Sequence, residues 1–320
     1  MWTVSLSHGS WLIMSVVFAV ACTGVDESIP APNELDRWEY FPGREGPVLA
    51  LYEDSDSHLW IGTPHGVSKY DGSGFEDFTS QDGLVNDTVL TIIQDFEGDL
   101  WFGTPGGISI LVENGFINIS TLAGFDANVS SLLEDEDDNV WIGTSNLGVW
   151  FAGPGGLESF FDDHCLECNI INTLFEDSRG QVWVGSQADL KRYRNRGLRS
   201  FTVQDGLAGS NVTSVYEDSN GVLWVGTFDG DEITQFEDGD FDQVSLSNGA
   251  DQNWITAITQ DRQERLWIGV AQNGVILYDG LVSRTLFEGP PPGIILSMIT
   301  DQQGDIWVGT SSGLAKYINN

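Results

Sequence analysis

Apolar and polar residues alternate along most of this chain in short runs, a pattern typical of half-buried β-strands. Residues 211–246 show it well, with four successive runs at residues 212–216, 223–227, 232–236 and 241–246. Asp, Asn and Gly separate the first two runs, and Asp238 with Gly239 between the last two is a hairpin signal. This stretch therefore predicts four antiparallel strands joined by tight turns.

The second predicted strand of this unit contains a tryptophan that recurs at regular spacing through the chain. The seven copies lie 41, 40, 42, 41, 43 and 40 residues apart, at Trp60, Trp101, Trp141, Trp183, Trp224, Trp267 and Trp307. A fixed period of about forty residues is typical of propellers and other repeat proteins. We expect the seven tryptophans to be buried, because one aromatic residue per unit at a fixed place is a core position.

The repeated figure Asp-x-x-Gly-x-x-Trp-[Ile/Val]-Gly-Thr resembles the two-component regulator propeller repeat, and its fullest copies are residues 95–108 and 301–314. The linkers at residues 81–84 and 204–207, both Gln-Asp-Gly-Leu, extend the resemblance to most of residues 37–320. The resemblance implies an all-β fold, a β-propeller. Members are commonly the extracytoplasmic sensing part of a membrane signalling protein.

The two ends of the repeated region predict how the propeller closes. Residues 37–41 match the fourth strand of other units but precede the first complete unit, whereas the last unit stops after its third strand at residues 316–318. We therefore predict that the N-terminal segment supplies the missing strand. A single domain of seven blades, each of four antiparallel strands, would then have no free sheet edge at the seam.

The first residues predict export. An apolar run too short to span a bilayer ends in Ala19, Val20 and Ala21, which is typical of a secretory signal peptide over residues 1–21, although no Lys or Arg precedes the run. Cys22 follows as in a bacterial lipobox, so it is predicted to carry a lipid that holds the protein on a membrane. Ordinary signal cleavage is the alternative. Residues 22–36 have linker composition and would form the tether.

The formal net charge of −35 argues against nucleic acid as a partner, because phosphate binding needs a basic surface. A solvated acidic surface or a cation-binding function are both consistent with this charge. Five of the thirteen basic residues nevertheless cluster in blade 4, counting blades from the one that holds Trp60. They are a candidate docking patch for an acidic partner or lipid headgroup, with pairing to nearby acids as the alternative: Lys191, Arg192, Arg194, Arg196 and Arg199.

Cys165 and Cys168 form a Cys-x-x-Cys figure in a predicted linker. A disulfide is the interpretation that suits an exported protein. A redox pair or a metal site is the alternative, but the redox motif needs a βαβ context and a zinc site needs four ligands. No cofactor or metal is predicted.

A ligand site is expected where the repeats differ, which is in the loops between second and third strands and in the linkers between blades. These segments share one face of a propeller. The candidate ligand-binding residues there are His65, Asn146, Gln187, Asp189, Phe228, Asp229, Trp254 and Gln272. They mix hydrogen-bonding groups with two aromatic surfaces and contain no nucleophile–base set, so we expect binding without turnover. For Trp254, core packing is an equal alternative.

Three functions follow from this sequence. The first is an exported, lipid-anchored and monomeric propeller that recognises a small ligand or an envelope protein and passes the signal to a separate protein. The second is a lyase or hydrolase, because the seven-bladed streptogramin lyase has loosely similar repeats with catalytic His and Glu residues and Mg²⁺; here only His65 and His164 lie in suitable segments. The third is a structural part of an envelope assembly.

Overall fold

The computed structural model describes residues 38–119, 125, 127–160, 170–194, 197–230, 232–246, 254–271, 274–286 and 293–319. Several predictions from the sequence lie outside these residues: the signal peptide, the tether with Cys22, the Cys165–Cys168 pair, Arg196 and Gln272. Within them, no helix is long and apolar enough to cross a bilayer. The described residues are almost entirely strands and turns, with a short 3-10 turn at Val203–Asp205.

The strands of the first four blades lie where the period predicts them. Blade 1 consists of β2 (Ala50–Glu53), β3 (Leu59–Thr63), β4 (Gly66–Tyr70) and β5 (Phe75–Phe78). Blade 2 consists of β6 (Thr91–Gln94), β7 (Leu100–Thr104), β8 (Gly107–Val112) and β9 (Gly115–Ile119). Blade 3 consists of β10 (Val129–Glu134), β11 (Val140–Thr144), β12 (Val149–Gly153) and β13 (Gly156–Ser159). Blade 4 consists of β14 (Ile171–Glu176), β15 (Val182–Ser186), β16 (Leu190–Arg194) and β17 (Gly197–Phe201).

The remaining blades repeat the pattern, and the last one combines both ends of the chain. Blade 5 consists of β18 (Val212–Glu217), β19 (Leu223–Thr227), β20 (Ile233–Glu237) and β21 (Asp240–Val244). Blade 6 consists of β22 (Ile255–Gln260), β23 (Leu266–Val270), β24 (Gly274–Tyr278) and β25 (Ser283–Leu286). Blade 7 consists of β26 (Ile295–Thr300), β27 (Ile306–Thr310), β28 (Gly313–Tyr317) and β1 (Trp38–Glu45).

Each blade is one antiparallel four-stranded sheet whose strands pair in chain order, except that β1 completes the sheet of blade 7. The first strands of successive blades contact one another around the whole ring, and β26 of blade 7 contacts β2 of blade 1. The described residues therefore form a closed seven-bladed β-propeller, as the repeat count predicts. Its first strands line the centre and its fourth strands lie outermost.

The predicted closure at the N-terminal segment is confirmed. Trp38 lies opposite Tyr317 and Tyr40 opposite Ala315, but the register then shifts, so that Glu45 lies opposite Gly313. The Trp38 ring packs edge-on against Tyr317, with 5.2 Å between ring centroids. The strand extends to Glu45 rather than residue 41, because the bulge lets the chain rejoin β28 after leaving the ladder.

All seven repeated tryptophans are buried, with between 0% and 9% of their surface exposed, which confirms their assignment to the core. Packing also explains why a glycine lies two residues after each of these tryptophans. A Cβ atom on Gly226 would lie 2.4 Å from Cγ2 of Ile255 in the first strand of the next blade, and one on Gly143 would lie 2.7 Å from Cγ2 of Ile171. Adjacent blades approach so closely at this place that only glycine fits.

Each repeated tryptophan is also held by the aspartate that opens its turn. In blade 5, Asp218 Oδ2 accepts a hydrogen bond from Trp224 Nε1 at 2.8 Å, while Oδ1 accepts from the main-chain N–H groups of Asn220 and Val222. All seven copies share the indole bond, at 2.7–2.9 Å. The sequence predicts the aspartate's role in its own turn but not this bond, which satisfies a buried donor that would otherwise be costly.

Candidate functional site

The loops between second and third strands and the linkers between blades lie on one face of the propeller, the loop face. The aspartate turns and the hairpins between third and fourth strands lie on the opposite face, the turn face. This follows from the alternating direction of the four strands in each blade. The seven candidate ligand-binding residues that the structure describes therefore belong to segments of the loop face and can be placed individually.

Phe228 and Trp254 form the most distinctive feature of the loop face. Phe228 follows the second strand of blade 5, and Trp254 directly precedes the first strand of blade 6. Their rings stack with 4.6 Å between centroids and 22° between planes, and Phe228 keeps 41% of its surface exposed. Two blades thus build an aromatic surface next to solvent, which is one of the groupings typical of ligand sites.

Asp229 lies beside this aromatic surface but is bound to its own protein. Its carboxylate accepts hydrogen bonds from the hydroxyl and main-chain N–H of Ser210, at 2.7 and 3.1 Å, and from the N–H of Asn211 at 2.9 Å. Partial burial acts to raise the pKa of Asp229, but these hydrogen bonds outweigh it and hold the pKa below its ordinary value. Asp229 is therefore a fixed negative charge that also holds the linker into blade 5.

Asp189 is paired with Lys191, one of the residues predicted for the docking patch. The Lys191 ammonium forms an ion pair with Asp189 Oδ2, and the Ser186 hydroxyl donates to Asp189 Oδ1 at 2.7 Å. Both charged side chains are largely buried. Asp189 and Asp229 each have partners within their own surroundings, so they are two separately bound carboxylates.

His65, Asn146 and Gln187 are exposed on blades 1, 3 and 4. Asn146 Oδ1 accepts from the N–H of Asn128 at 3.0 Å, and His65 donates its main-chain N–H to Thr63 Oγ1 at 3.0 Å. The structure thus brings Phe228, Asp229 and Trp254 together where blades 5 and 6 meet. The other described candidates lie on different blades of the same face.

Three apolar residues that the sequence did not single out accompany the aromatic pair on the loop face. Ile170 and Ile294 precede the first strands of blades 4 and 7, the position that Trp254 has in blade 6, and are 38% and 45% exposed. In each case a main-chain N–H of the neighbouring loop donates to the carbonyl of that residue, as Ala271 does to Trp254. Leu147, 37% exposed, lies in the loop of blade 3. Because first strands line the channel, Ile170 and Ile294 lie at its mouth.

The basic cluster lies where it was predicted, on the outer strands of blade 4. Arg192 and Arg199 are directly opposite one another on β16 and β17, and the Arg199 guanidinium lies 4.6 Å from the centre of the Phe201 ring. Burial, followed by the charges of Arg199 and Arg194, lowers the pKa of Arg192. Within the part of the chain that the structure describes, Arg192, Arg194 and Arg199 form no ion pair with an acid.

The acidic turns do not form a metal site among the described residues, where no three His, Cys, Asp or Glu side chains are arranged to hold an ion. Asp135, in the most acidic turn, already binds Trp141 Nε1 and the side-chain amide of Asn139.

A family model described as two component regulator propeller matches the chain seven times, once per blade, at residues 42–65, 83–106, 124–146, 165–188, 206–229, 249–272 and 289–312. Together these matches cover more than half of the chain. The chain belongs to the two-component regulator propeller family. The matches run from one blade into the next, from linker through first strand to the loop after the repeated tryptophan.

Solved structures similar to this family member share its fold. The extracellular domains of two hybrid two-component systems from B. thetaiotaomicron are 23% and 22% identical, with TM-scores of 0.72 and 0.77, and each match covers 89% of this chain. The chain spans only 40% and 41% of the length of those two. Virginiamycin B lyase from Staphylococcus aureus is 14% identical with a TM-score of 0.72, covering 87% of this chain and 97% of the lyase. No curated protein sequence matches the chain.

Proposed function

We propose that this propeller is an extracytoplasmic binding module whose ligand contacts the loop face around Phe228 and Trp254. The observation that carries the proposal is the stacked aromatic pair contributed by two neighbouring blades, in which Phe228 is exposed and Trp254 is half-buried. Isolated exposed apolar residues need no explanation, but a stacked pair close to a fixed carboxylate offers a flat apolar surface with a polar group beside it. A small molecule or peptide with one flat apolar face and one hydrogen-bonding edge suits this arrangement.

Two further features support binding as the role of this face. The rim of the channel carries the apolar residues Ile170 and Ile294, so the aromatic pair belongs to a larger ring of exposed apolar positions. The charged residues there are already paired or hydrogen-bonded, as Asp189 is with Lys191, so they orient a ligand rather than transfer protons.

The similarity to extracellular domains of two-component systems supports a sensing role outside the cytoplasm. The chain would then be held at a membrane by a lipid on Cys22 and would pass its signal to a separate protein. Mass spectrometry of the protein isolated from membranes should find the mature chain beginning at a lipid-modified Cys22. An unmodified Cys22 in a soluble fraction would contradict the anchor and leave the binding face unaffected.

The binding proposal can be tested by a thermal-shift screen of amino acids, dipeptides and oligosaccharides against the full protein. The expected result is a ligand whose affinity falls at least about tenfold in the Phe228→Ala, Trp254→Ala double variant. The matched control is Leu281→Ser, which removes a side chain 86% exposed on the turn face and should bind normally. If the double variant binds normally while Arg192→Gln with Arg199→Gln abolishes binding, the basic cluster is the site. Conversion of the ligand to a product would show an enzyme instead.

A further inference from the structure

A cavity of about 340 Å³ lies at the seam where blade 7 meets blade 1. One wall is residues 43–48, the end of β1 and the chain that follows it, and the other is the loop of blade 1 at residues 63–66. Ser68 and Asp77, a cross-strand pair on β4 and β5, also line it. The cavity is large enough for a small ligand and is separate from the aromatic pair between blades 5 and 6.

In blades 2 and 5 the residues equivalent to this cross-strand pair hold the main chain of the linker that enters the blade. In blade 2, the N–H of Val85 donates to Ser109 Oγ at 2.8 Å, and the Asn118 amide donates to the Gly83 carbonyl at 2.9 Å. In blade 5 the N–H of Ala208 donates to Thr234 Oγ1 at 2.9 Å, and the Gln243 amide donates to the Gly206 carbonyl at 3.1 Å. Both linkers are described in full, and both fill the space beside the pair with main chain.

The linker into blade 1 is shorter than these two. Phe78, Phe201 and Phe41 each pack on a repeated tryptophan before the linker starts. The linker then ends at a valine that packs on the glycine two residues after a repeated tryptophan. These valines are Val89, Val212 and Val48. Between these anchors lie ten residues in the first two cases (79–88 and 202–211) but six before blade 1 (42–47), of which the first four still belong to β1. Four residues of main chain are therefore missing at the seam, and the cavity is the space that they would fill.

Arg44 replaces part of the missing main chain. Its NH1 group donates to Ser68 Oγ at 2.8 Å and to Asp77 Oδ1 at 2.7 Å, and its guanidinium lies 4.0 Å from the centre of the Phe75 ring. In blades 2 and 5 that ring position is covered by linker glycines, Gly83 over Phe116 and Gly206 over Phe241. Arg44 thus satisfies the Ser68 and Asp77 side chains, while space remains along the loop of blade 1.

The loop of blade 1 also offers a polar group where other linkers are bound. In blade 5, Asp229 in the corresponding loop accepts two linker N–H groups, from Ser210 and Asn211. In blade 1 the corresponding loop presents His65, whose side chain is exposed and lines the cavity. A second chain lying beside His65 would repeat the arrangement that the protein already uses within itself.

We propose that the seam cavity binds a peptide segment of about four residues through its main chain, in the place that linker residues fill in blades 2 and 5. This site is distinct from the loop-face site around Phe228 and Trp254 and does not depend on it. Recognition of a peptide through its main-chain hydrogen-bonding groups gives affinity that does not depend on the peptide's sequence.

The test uses the full protein and a labelled, end-blocked tetrapeptide with the sequence of residues 208–211, Ala-Gly-Ser-Asn, followed by fluorescence anisotropy. We expect saturable binding that a scrambled peptide retains and that N-methylation of the peptide amides abolishes, because the main chain is recognised. Replacing residues 42–47 with residues 79–88 fills the cavity and should weaken binding at least about tenfold.

A second variant keeps the test independent of that graft. His65→Trp places a large side chain at the exposed rim, so it should weaken binding similarly while the melting temperature stays unchanged. Phe96→Ser, which changes a side chain 80% exposed on the turn face, is the control that should bind normally. Absence of saturable binding up to about 1 mM, or equal affinity of all three variants and the native chain, would overturn the proposal.

Discussion

Three of the seven aspartate turns place a residue with a side chain where the other four have glycine. Ser57, Asp138 and Glu264 have φ values of 63°, 63° and 64°, in the left-handed region. The equivalent positions in blades 2, 4, 5 and 7 are Gly98, Gly180, Gly221 and Gly304. The turn keeps its shape in every blade because the aspartate binds the same N–H groups. The unfavourable left-handed conformation of these three residues therefore lowers stability without changing the turn.

Glu264→Gly should therefore raise the free energy of unfolding by about 0.5–1 kcal/mol. A left-handed non-glycine residue costs about 1–2 kcal/mol, and the greater freedom of glycine in the unfolded chain offsets part of the gain. The main-chain hydrogen bond from Glu264 to Asp261 is retained. Chemical denaturation of both proteins measures the difference. The control is Gly98→Ala, where an added Cβ meets only Gln94 Nε2 at 3.9 Å. Because alanine is strained at this positive φ, the free energy of unfolding should fall by about 1 kcal/mol.

The last residue of the first strand joins most blades to the turn of the preceding blade. In blade 4, Glu176 accepts the N–H of Glu136, and in blade 1 Glu53 accepts the N–H of Gln302 across the seam. Six of the seven interfaces, as described, have this bond, with Glu53, Gln94, Glu134, Glu176, Glu217 or Gln260 as the acceptor. Glutamine serves as well as glutamate, so the bond needs an acceptor oxygen but not a charge.

Glu176→Gln should stabilise the protein at pH 7. Burial raises the pKa of Glu176 above its ordinary value of 4.5, and nearby acids, Asp135 first, raise it further, while the N–H of Glu136 opposes them. The folded state therefore binds this proton more tightly than the unfolded state, and stability is lost as pH rises through the folded pKa. The gain should be a few tenths of a kcal/mol at pH 7, because solvent screens this half-exposed group, and should vanish below pH 4.5.

Denaturation curves at several pH values measure this difference. Gln94→Glu, the reverse exchange at the equivalent position of blade 2, should destabilise at pH 7 and not at low pH. A Glu176→Gln gain that is the same at every pH would contradict the charge explanation.

At the scale of the whole molecule, the ring depends on one strand from the other end of the chain. β1 covers the edge of β28, and its aromatic residues pack on both neighbouring blades. Trp38 contacts Trp267 of blade 6, whereas Phe41 contacts Tyr70 of blade 1 and Trp307 of its own blade. The main-chain N–H of Gln302 donates a hydrogen bond to the Glu53 carboxylate across the seam between blades 7 and 1. Closure therefore combines strand pairing with an apolar contact between the first and last blades.

Trp38→Ala should lower the free energy of unfolding by about 3–5 kcal/mol, because it removes a large buried side chain from the closing strand. Deleting residues 38–45 should lower the melting temperature further. Glu39→Ala, on the exposed side of the same strand, is the control and should change stability by less than about 0.5 kcal/mol. If the deletion variant has the same melting temperature as the native chain, the ring does not need this strand.

The sequence by itself determined the number of blades, the places of their strands, the burial of the seven tryptophans and the strand that closes the ring. These features follow from periodicity within about forty residues, since a strand's alternation and a turn's composition are local properties. The bond from Trp224 to Asp218 is also short-range, and its recurrence with the Asp-to-Trp spacing could have been noticed in the repeats.

Only the tertiary structure decided which candidate residues meet. Phe228 stacks on Trp254, while Asp189 is paired with Lys191 and Asp229 is bound by Ser210. The sequence alone could not rank Phe228, Trp254, Asp189 and Asp229 as ligand-binding residues. The cavity beside Arg44 exists because one linker is shorter than two others, and that difference has a meaning only once the blades are packed side by side. Contacts between loops of neighbouring blades depend on the ring's geometry, which no local pattern encodes.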